Sequence, residues 1–126
     1  MPAVLTIARR APLVVAGALA ACGLAACGGG QVLPGAHADR GQQLIVQYGC
    51  GACHTIGGID TANGTVGPRL TDFSSDRYIA GNLPNTPRNA ARWIEDPHRY
   101  EPKTIMPDLG VTPAQAADIV AYLEGQ

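Results

Sequence analysis

Aromatic and charged residues are both scarce in this chain of 126 residues, and their scarcity limits what the chain can be. Phe, Trp and Tyr make up 5% of the sequence and charged residues 15%, with 9 Lys and Arg against 10 Asp and Glu. Without an excess of basic residues, nucleic-acid binding is not expected. Gly (16) and Pro (10) are abundant. The composition therefore predicts one small, loop-rich domain with few large side chains for its core.

Residues 1–30 differ from the rest of the chain. Arg9 and Arg10 precede an uncharged run over residues 11–26 that is rich in Ala, Val and Leu. The run is short for a membrane-spanning helix, which needs about 20 apolar residues, but it suits the apolar part of an export signal. It ends in two LAAC strings, at Cys22 and Cys27. Each string resembles a bacterial lipoprotein signal, in which the cysteine is acylated and becomes the first residue.

Lipid attachment at Cys27 is the preferred interpretation, because cleavage there leaves the glycines at positions 28–30 as a flexible leash. Cys22 is the alternative site, and an uncleaved anchor, a plain secretory signal and twin-arginine export are the other interpretations. The predicted organisation is a signal peptide over residues 1–26, an acylated cysteine with a flexible linker over 27–38, and one domain over 39–126. This organisation predicts a location in a bacterial cell envelope, periplasmic or on the outer face of a membrane.

The two cysteines beyond the signal form one unit. Cys50 and Cys53 lie in the string CGACH, which ends in His54. Two thiols at this spacing can each add to one vinyl group of a porphyrin, and the histidine then lies under the iron as an axial ligand. The motif therefore predicts one covalently bound haem c, whose apolar ring would complete a small core.

The motif has two alternative interpretations. A thioredoxin-type disulfide would use Cys50 as a thiolate nucleophile, but that fold needs buried strands before the motif, and the residues before Cys50 have a helical pattern. A zinc site would need a second pair of ligands at suitable spacing. Only the scattered His37 and His98 remain for that purpose.

Apolar periodicity predicts an all-α domain. The first helix covers residues 39–48 and runs into the CGACH string, and the second opens at residues 86–87 and stops at 96–97. The last helix opens at residues 112–115, where TPAQ gives an N-cap, a proline at the first helical position and a capping box. A further helical turn is expected around residues 76–80, and no strand is required. The predicted buried positions are Gly41, Leu44, Ile45 and Tyr48; Ala90, Trp93 and Ile94; and Ala116, Ile119, Val120 and Leu123.

A haem that only carries electrons needs a second axial ligand. Met106 is the single methionine after the signal, and Pro107 follows it. A thioether ligand in a stiff loop would raise the reduction potential relative to two histidines. His98 is the alternative ligand, and Met106 could instead be an ordinary core residue. Pro68 is expected to accept a hydrogen bond from the far ring nitrogen of His54 through its carbonyl, which would orient the imidazole.

Together these features resemble a class I cytochrome c over residues 39–126. The shared features are Gly41, Tyr48, the CGACH string, GP at 67–68, MP at 106–107 and YL at 122–123. The strings HTIGG (54–58), VGPRLT (66–71), LPNTP (83–87) and ARWIEDP (91–97) resemble more narrowly the cytochrome c domain fused to subunit II of some bacterial haem-copper oxidases. The resemblance implies three to five short helices around one haem c.

The resemblance also implies roles for single residues. Cys50 and Cys53 would carry the thioethers, while His54 and Met106 would bind the iron. In the family, a glycine on the first helix lets an aromatic residue of the last helix cross closely, which implies a joint between Gly41 and Tyr122. Trp93 would lie against the haem edge or a propionate, or serve plain core packing. The candidate propionate partners are Arg69, Asn82, Asn85 and Arg92.

The implied function is that of a membrane-tethered carrier of single electrons in a respiratory chain, to or within a haem-copper terminal oxidase. The implied partners are a membrane and redox proteins such as a terminal oxidase or a quinol-oxidising complex, with no small-molecule substrate and no enzyme activity. The alternatives are service to another respiratory, photosynthetic or dehydrogenase complex, a haem enzyme or gas sensor, and a periplasmic thiol oxidoreductase. The copper-binding domain and two membrane helices of the fused subunit have no counterpart here, which favours a separate carrier or subunit.

Overall fold

The computed structural model describes residues 32–126, so the predicted signal peptide and Cys27 lie outside the described residues. This part of the chain contains the helices α1 (Ala38–Gln47), α2 (Pro87–Glu95), α3 (Pro97–Tyr100) and α4 (Pro113–Glu124). Helices α1 and α2 both pack against α4, and single 3-10 turns lie at Cys50–Ala52 and Phe73–Ser75. The predicted all-α class is confirmed. Within residues 32–126, no helix combines the length and apolar character needed to cross a bilayer.

Helix α4 is the element on which the others pack, and its start follows the predicted capping box. The Thr112 hydroxyl accepts a hydrogen bond from the Gln115 backbone, and the Gln115 side chain accepts one from the Thr112 backbone. Pro113 occupies the first helical turn, where its missing N–H costs nothing. The predicted face of α4 is confirmed, because all four of its apolar residues are buried, namely Ala116, Ile119, Val120 and Leu123.

Helix α2 begins where the sequence predicted, with the Thr86 hydroxyl accepting a hydrogen bond from the Asn89 N–H at 3.2 Å. Ala90 is buried as predicted, whereas Trp93 and Ile94 are only half-buried. The chain turns at Asp96, whose carboxylate accepts a hydrogen bond from the Arg99 N–H at 3.1 Å. The same residue thus ends α2 and caps α3, a short helix that the sequence analysis did not predict.

The helical turn expected around residues 76–80 is wrong. Instead, β1 (Tyr78–Ile79) and β2 (Leu83–Pro84) form a short antiparallel pair, with Ile79 opposite Leu83. Ala80 and Gly81 between the strands both have positive φ, at 49° and 80°. Two consecutive residues with positive φ cannot belong to a right-handed α-helix. The chain therefore reverses direction here in a hairpin turn.

The folded part of the chain begins earlier than the predicted boundary at residue 39. The Ala36 N–H donates to the Leu33 carbonyl at 3.1 Å, and Gly35 within this turn has a φ of 77°. The Leu33 side chain is half-buried against the core. The end of the predicted flexible linker over residues 27–38 is therefore part of the domain.

Helix α1 crosses α4 at Gly41. A Cβ at Gly41 would lie only 2.6 Å from the carbonyl carbon of Asp118 and 3.1 Å from the Cα of Ile119, so the absence of a side chain permits the crossing. The close approach expected at Gly41 is present, and the atoms nearest to Gly41 belong to the α4 backbone one turn before Tyr122. The backbone of α4 at Asp118 and Ile119 covers Gly41, while the Tyr122 hydroxyl donates to the Gly57 carbonyl at 2.8 Å.

The same crossing holds an ion pair that the sequence analysis missed. The Asp118 carboxylate is 4% exposed and lies 3.0 Å from Arg40 Nε and 3.1 Å from Arg40 Nη2. It also accepts the backbone N–H of His37 at 2.7 Å. Burial by itself raises the pKa of this carboxyl, but the hydrogen bonds from Arg40 and His37 and the charge of Arg40 outweigh it, so the pKa of Asp118 is lowered. The ionised carboxylate therefore stabilises the fold.

We expect the substitution Asp118→Asn to lower the free energy of unfolding by about 1–3 kcal/mol at neutral pH, since it weakens charge-assisted hydrogen bonds at a buried site. Because the pKa is lowered on folding, the contribution is present above the ordinary carboxyl pKa of about 3.9 and is lost as the pH falls below that value. Denaturant unfolding of the haem-loaded protein at a series of pH values measures this. The exposed Asp60→Asn is the control, and an equal loss in both variants would contradict the assignment.

Candidate haem site

A cavity of about 650 Å³ opens between α1, α2, α4 and the long connections. Its wall is mainly apolar, with Ile119 and Leu123 from α4 and Phe73 and Ile79 from the central segment. The predicted site residues from separate parts of the chain all line this cavity, namely Cys50, Cys53, His54, Pro68, Trp93 and Met106. The fold thus brings together the residues that the motifs had singled out.

The CGACH segment (residues 50–54) forms one rim of the cavity directly after α1. Gly49, with a φ of 69°, ends the helix, and a 3-10 turn at Cys50–Ala52 follows. Residues 61–64 lie close against this segment, since the Gly64 N–H donates to the Gly51 carbonyl at 2.9 Å and a Cβ at Gly51 would lie 2.6 Å from the Cα of Ala62. The backbone of the motif is therefore held in place on its outer side.

The two thiols of the motif are both free and half-buried. Burial raises the pKa of the Cys50 thiol, and the neighbouring Cys53 raises it further against one opposing backbone hydrogen bond. A raised pKa keeps the thiol protonated at neutral pH, whereas a nucleophilic cysteine needs a lowered one. The site therefore does not favour the thioredoxin-type interpretation. Among residues 32–126, no three His, Cys, Asp or Glu side chains gather into a metal-binding group.

His54 makes the contact that the sequence predicted. Its Nδ1 lies 2.7 Å from the Pro68 carbonyl oxygen. A carbonyl can only accept, so this contact requires the proton on Nδ1 and leaves the lone pair of the neutral ring on Nε2. Gly67 lies against the imidazole, where a Cβ would come within 2.7 Å of Nδ1. Pro68 and Gly67 together determine the orientation of the ring.

Met106 lies in the connection between α3 and α4 and is half-buried at the wall of the same cavity. His98, the alternative ligand from the sequence, is exposed on α3 and does not line the cavity. The structure therefore places the methionine, and not His98, in the same cavity as His54.

The expected propionate partners are not at the cavity wall. Arg69, Asn82 and Arg92 are exposed and lie outside its lining, and Asn85 uses its side-chain N–H on the Phe73 carbonyl at 2.7 Å. The sequence analysis also missed wall residues that come from irregular segments, such as Leu70, Phe73 and Ile79. No helical period marks these positions, so the sequence offered no signal for them.

A comparison with known proteins agrees with this geometry. The model of the family described as cytochrome c matches residues 38–126. The chain belongs to the cytochrome c family. Over 89 residues it is 35% identical to cytochrome c oxidase subunit 2 of Alkalihalophilus pseudofirmus (strain ATCC BAA-2126 / JCM 17055 / OF4), an alignment that covers 68% of this chain and 25% of that relative. The chain thus spans about a quarter of the length of the curated relative it matches.

Family membership makes this a c-type cytochrome of the class I fold, with a covalently attached haem c and a role in electron transfer. The residues of the cavity fit that group. Two free thiols line the cavity, its wall is apolar, and the His54 ring directs Nδ1 to the Pro68 carbonyl, which leaves Nε2 for the iron. When bound, haem c supplies an iron that accepts and releases one electron at a time. The chain supplies two thiols for its attachment and an apolar wall around it.

We expect Gly67→Ala to displace the imidazole of His54 from the Pro68 carbonyl, because the new methyl group would overlap the ring. The free energy of unfolding of the haem-loaded protein should fall by about 1–3 kcal/mol, with a lower ratio of haem to protein. Absorption spectra and denaturant titrations measure both. Gly125→Ala is the matched control, since a Cβ there meets its nearest atom at an ordinary 3.5 Å. Identical behaviour of the two variants would refute this role of Gly67.

Proposed function

We propose that this cytochrome holds a single haem between His54 and Met106 and carries single electrons without acting as an enzyme. One observation carries the proposal: His54 and Met106 line one apolar cavity, and the two free thiols line it as well. Cys50 and Cys53 form the two thioethers. Trp93, which lies on α2, forms part of the cavity wall.

Each axial donor has a defined task. The Nδ1–H of His54 donates to Pro68, which strengthens donation from Nε2 and keeps the ring in one orientation. Met106 closes the opposite coordination position with a neutral sulfur, which favours a higher reduction potential than a second histidine would. A position closed in this way leaves no room for a substrate, which disfavours the alternatives of a haem enzyme and a gas sensor.

The proposed partner is a haem-copper terminal oxidase. The supporting observation is the identity of 35% with a protein named cytochrome c oxidase subunit 2, although the chain matches only a quarter of that relative. Contact with the oxidase would be small and short-lived, as electron-transfer encounters are. We further propose that the domain is held at the outer face of a bacterial membrane by a lipid on Cys27, because the LAAC string and the glycines after it have the form of a lipoprotein signal.

We expect Met106→Ala to open one coordination position of the iron. The ferric protein should lose the weak near-infrared band of thioether ligation, the ferrous protein should bind carbon monoxide at neutral pH, and the reduction potential should fall. The haem should still resist extraction by acid–acetone, since the thioethers are untouched. Val46→Ala is the control, because this side chain is 57% exposed and lies outside the cavity wall. An unchanged potential and band in Met106→Ala would overturn the axial assignment.

We expect the cytochrome to stay on washed membranes of cells that produce it and, once reduced, to be reoxidised there in a cyanide-sensitive reaction. Cys27→Ala should release it into the soluble fraction with an unchanged visible spectrum, whereas Cys22→Ala should leave it attached. Fractionation and stopped-flow absorbance measure the two effects. Reoxidation that cyanide does not slow would remove the terminal oxidase as partner, and retention of Cys27→Ala on the membrane would remove Cys27 as the tether.

A further inference from the structure

The segment that carries Met106 is irregular, and three of its side chains accept backbone N–H groups of the same segment. It joins α3, which ends at Tyr100, to α4, which begins at Pro113. Within it the Glu101 carboxylate accepts the Lys103 N–H at 3.2 Å, and the Asp108 carboxylate accepts the Gly110 N–H at 2.9 Å. Each of these bonds spans two residues, so local contacts shape this segment.

Thr104 makes the corresponding bond at the methionine itself. Its hydroxyl oxygen accepts the Met106 N–H at 3.2 Å, and its own N–H donates to the Glu101 carbonyl at 3.0 Å. Thr104 is half-buried and lines the cavity together with Met106. Ile105 between them also lines the cavity, although its side chain is 79% exposed. Pro107 on the other side has no N–H to offer.

We propose that Thr104 is the positioning residue for Met106, and that its hydroxyl determines how firmly the methionine sulfur competes with other ligands for the iron. This inference rests on the proposed role of Met106 as axial donor. The Thr104 hydroxyl accepts the Met106 N–H and so restrains the backbone that carries the methionine side chain. Loss of this hydrogen bond would let the Met106 sulfur occupy a wider range of positions, and its binding to the iron would become weaker.

The test compares Thr104→Val, which keeps the shape and removes the acceptor, with Thr104→Ser, which keeps the hydroxyl. Imidazole is titrated into the haem-loaded ferric protein, and loss of the near-infrared band of thioether ligation reports displacement of Met106. We expect Thr104→Val to bind imidazole about fivefold more tightly than wild type, as the loss of one ordinary hydrogen bond implies. Thr104→Ser should remain within about twofold of wild type.

Thr71→Val is the matched control, since Thr71 is also half-buried and bonds locally, to Asp72 at 3.2 Å, but lies outside the Met106 segment. If Thr104→Val and Thr71→Val bind imidazole alike, or if Thr104→Ser behaves like Thr104→Val, the positioning role is overturned. The variant Met106→Ala distinguishes a failure of the axial assignment of Met106 from a failure of the positioning role of Thr104. If that variant keeps the band, the axial assignment itself fails; if it loses the band while Thr104→Val is unchanged, only the role of Thr104 fails.

Discussion

The close crossing of α1 over α4 is the constraint on which the haem site depends. Gly41 lets the two helix backbones approach, and the Arg40–Asp118 ion pair holds them together beside it. From this crossing α1 leads directly to Tyr48 and the CGACH segment, while α4 supplies part of the cavity wall. The Tyr48 hydroxyl donates to the Gln115 side chain at 2.9 Å, which joins the far end of α1 to the capping box of α4. The position of the thiols therefore follows from contacts between helices.

The two proposed axial donors are held in a different way from the thiols. His54 and Met106 both lie outside the four α-helices. The His54 ring bonds at 2.7 Å to the Pro68 carbonyl, 14 residues further along the chain, whereas the Met106 N–H bonds at 3.2 Å to the Thr104 hydroxyl two residues before it. A loop fixed by one or two local bonds can be altered without changing the helices that build the cavity. In this cytochrome the helices thus provide the frame and the loops provide the ligands.

The sequence predicted best what depends on local chemistry. The Thr-Pro starts located α2 and α4, the CGACH string located the thiols, and the GP string located the acceptor for His54. Prediction from the sequence failed where contacts between distant parts of the chain determine the position of a residue. Asp118 was missed because only the crossing of α1 places Arg40 beside it, and Leu33 was assigned to a linker because its contact lies on the folded core. The reversal at Ala80 and Gly81 was missed because neither residue stands in a standard hairpin string.

Asp96 fixes the number of residues between α2 and α3. As this single residue both ends α2 and caps α3, the two helices follow one another with no intervening loop. Most loops tolerate insertions and deletions, but the junction between α2 and α3 has no loop in which to place them. An inserted residue there would turn α3 and shift the path leading to Met106, while Trp93 stayed in place on α2.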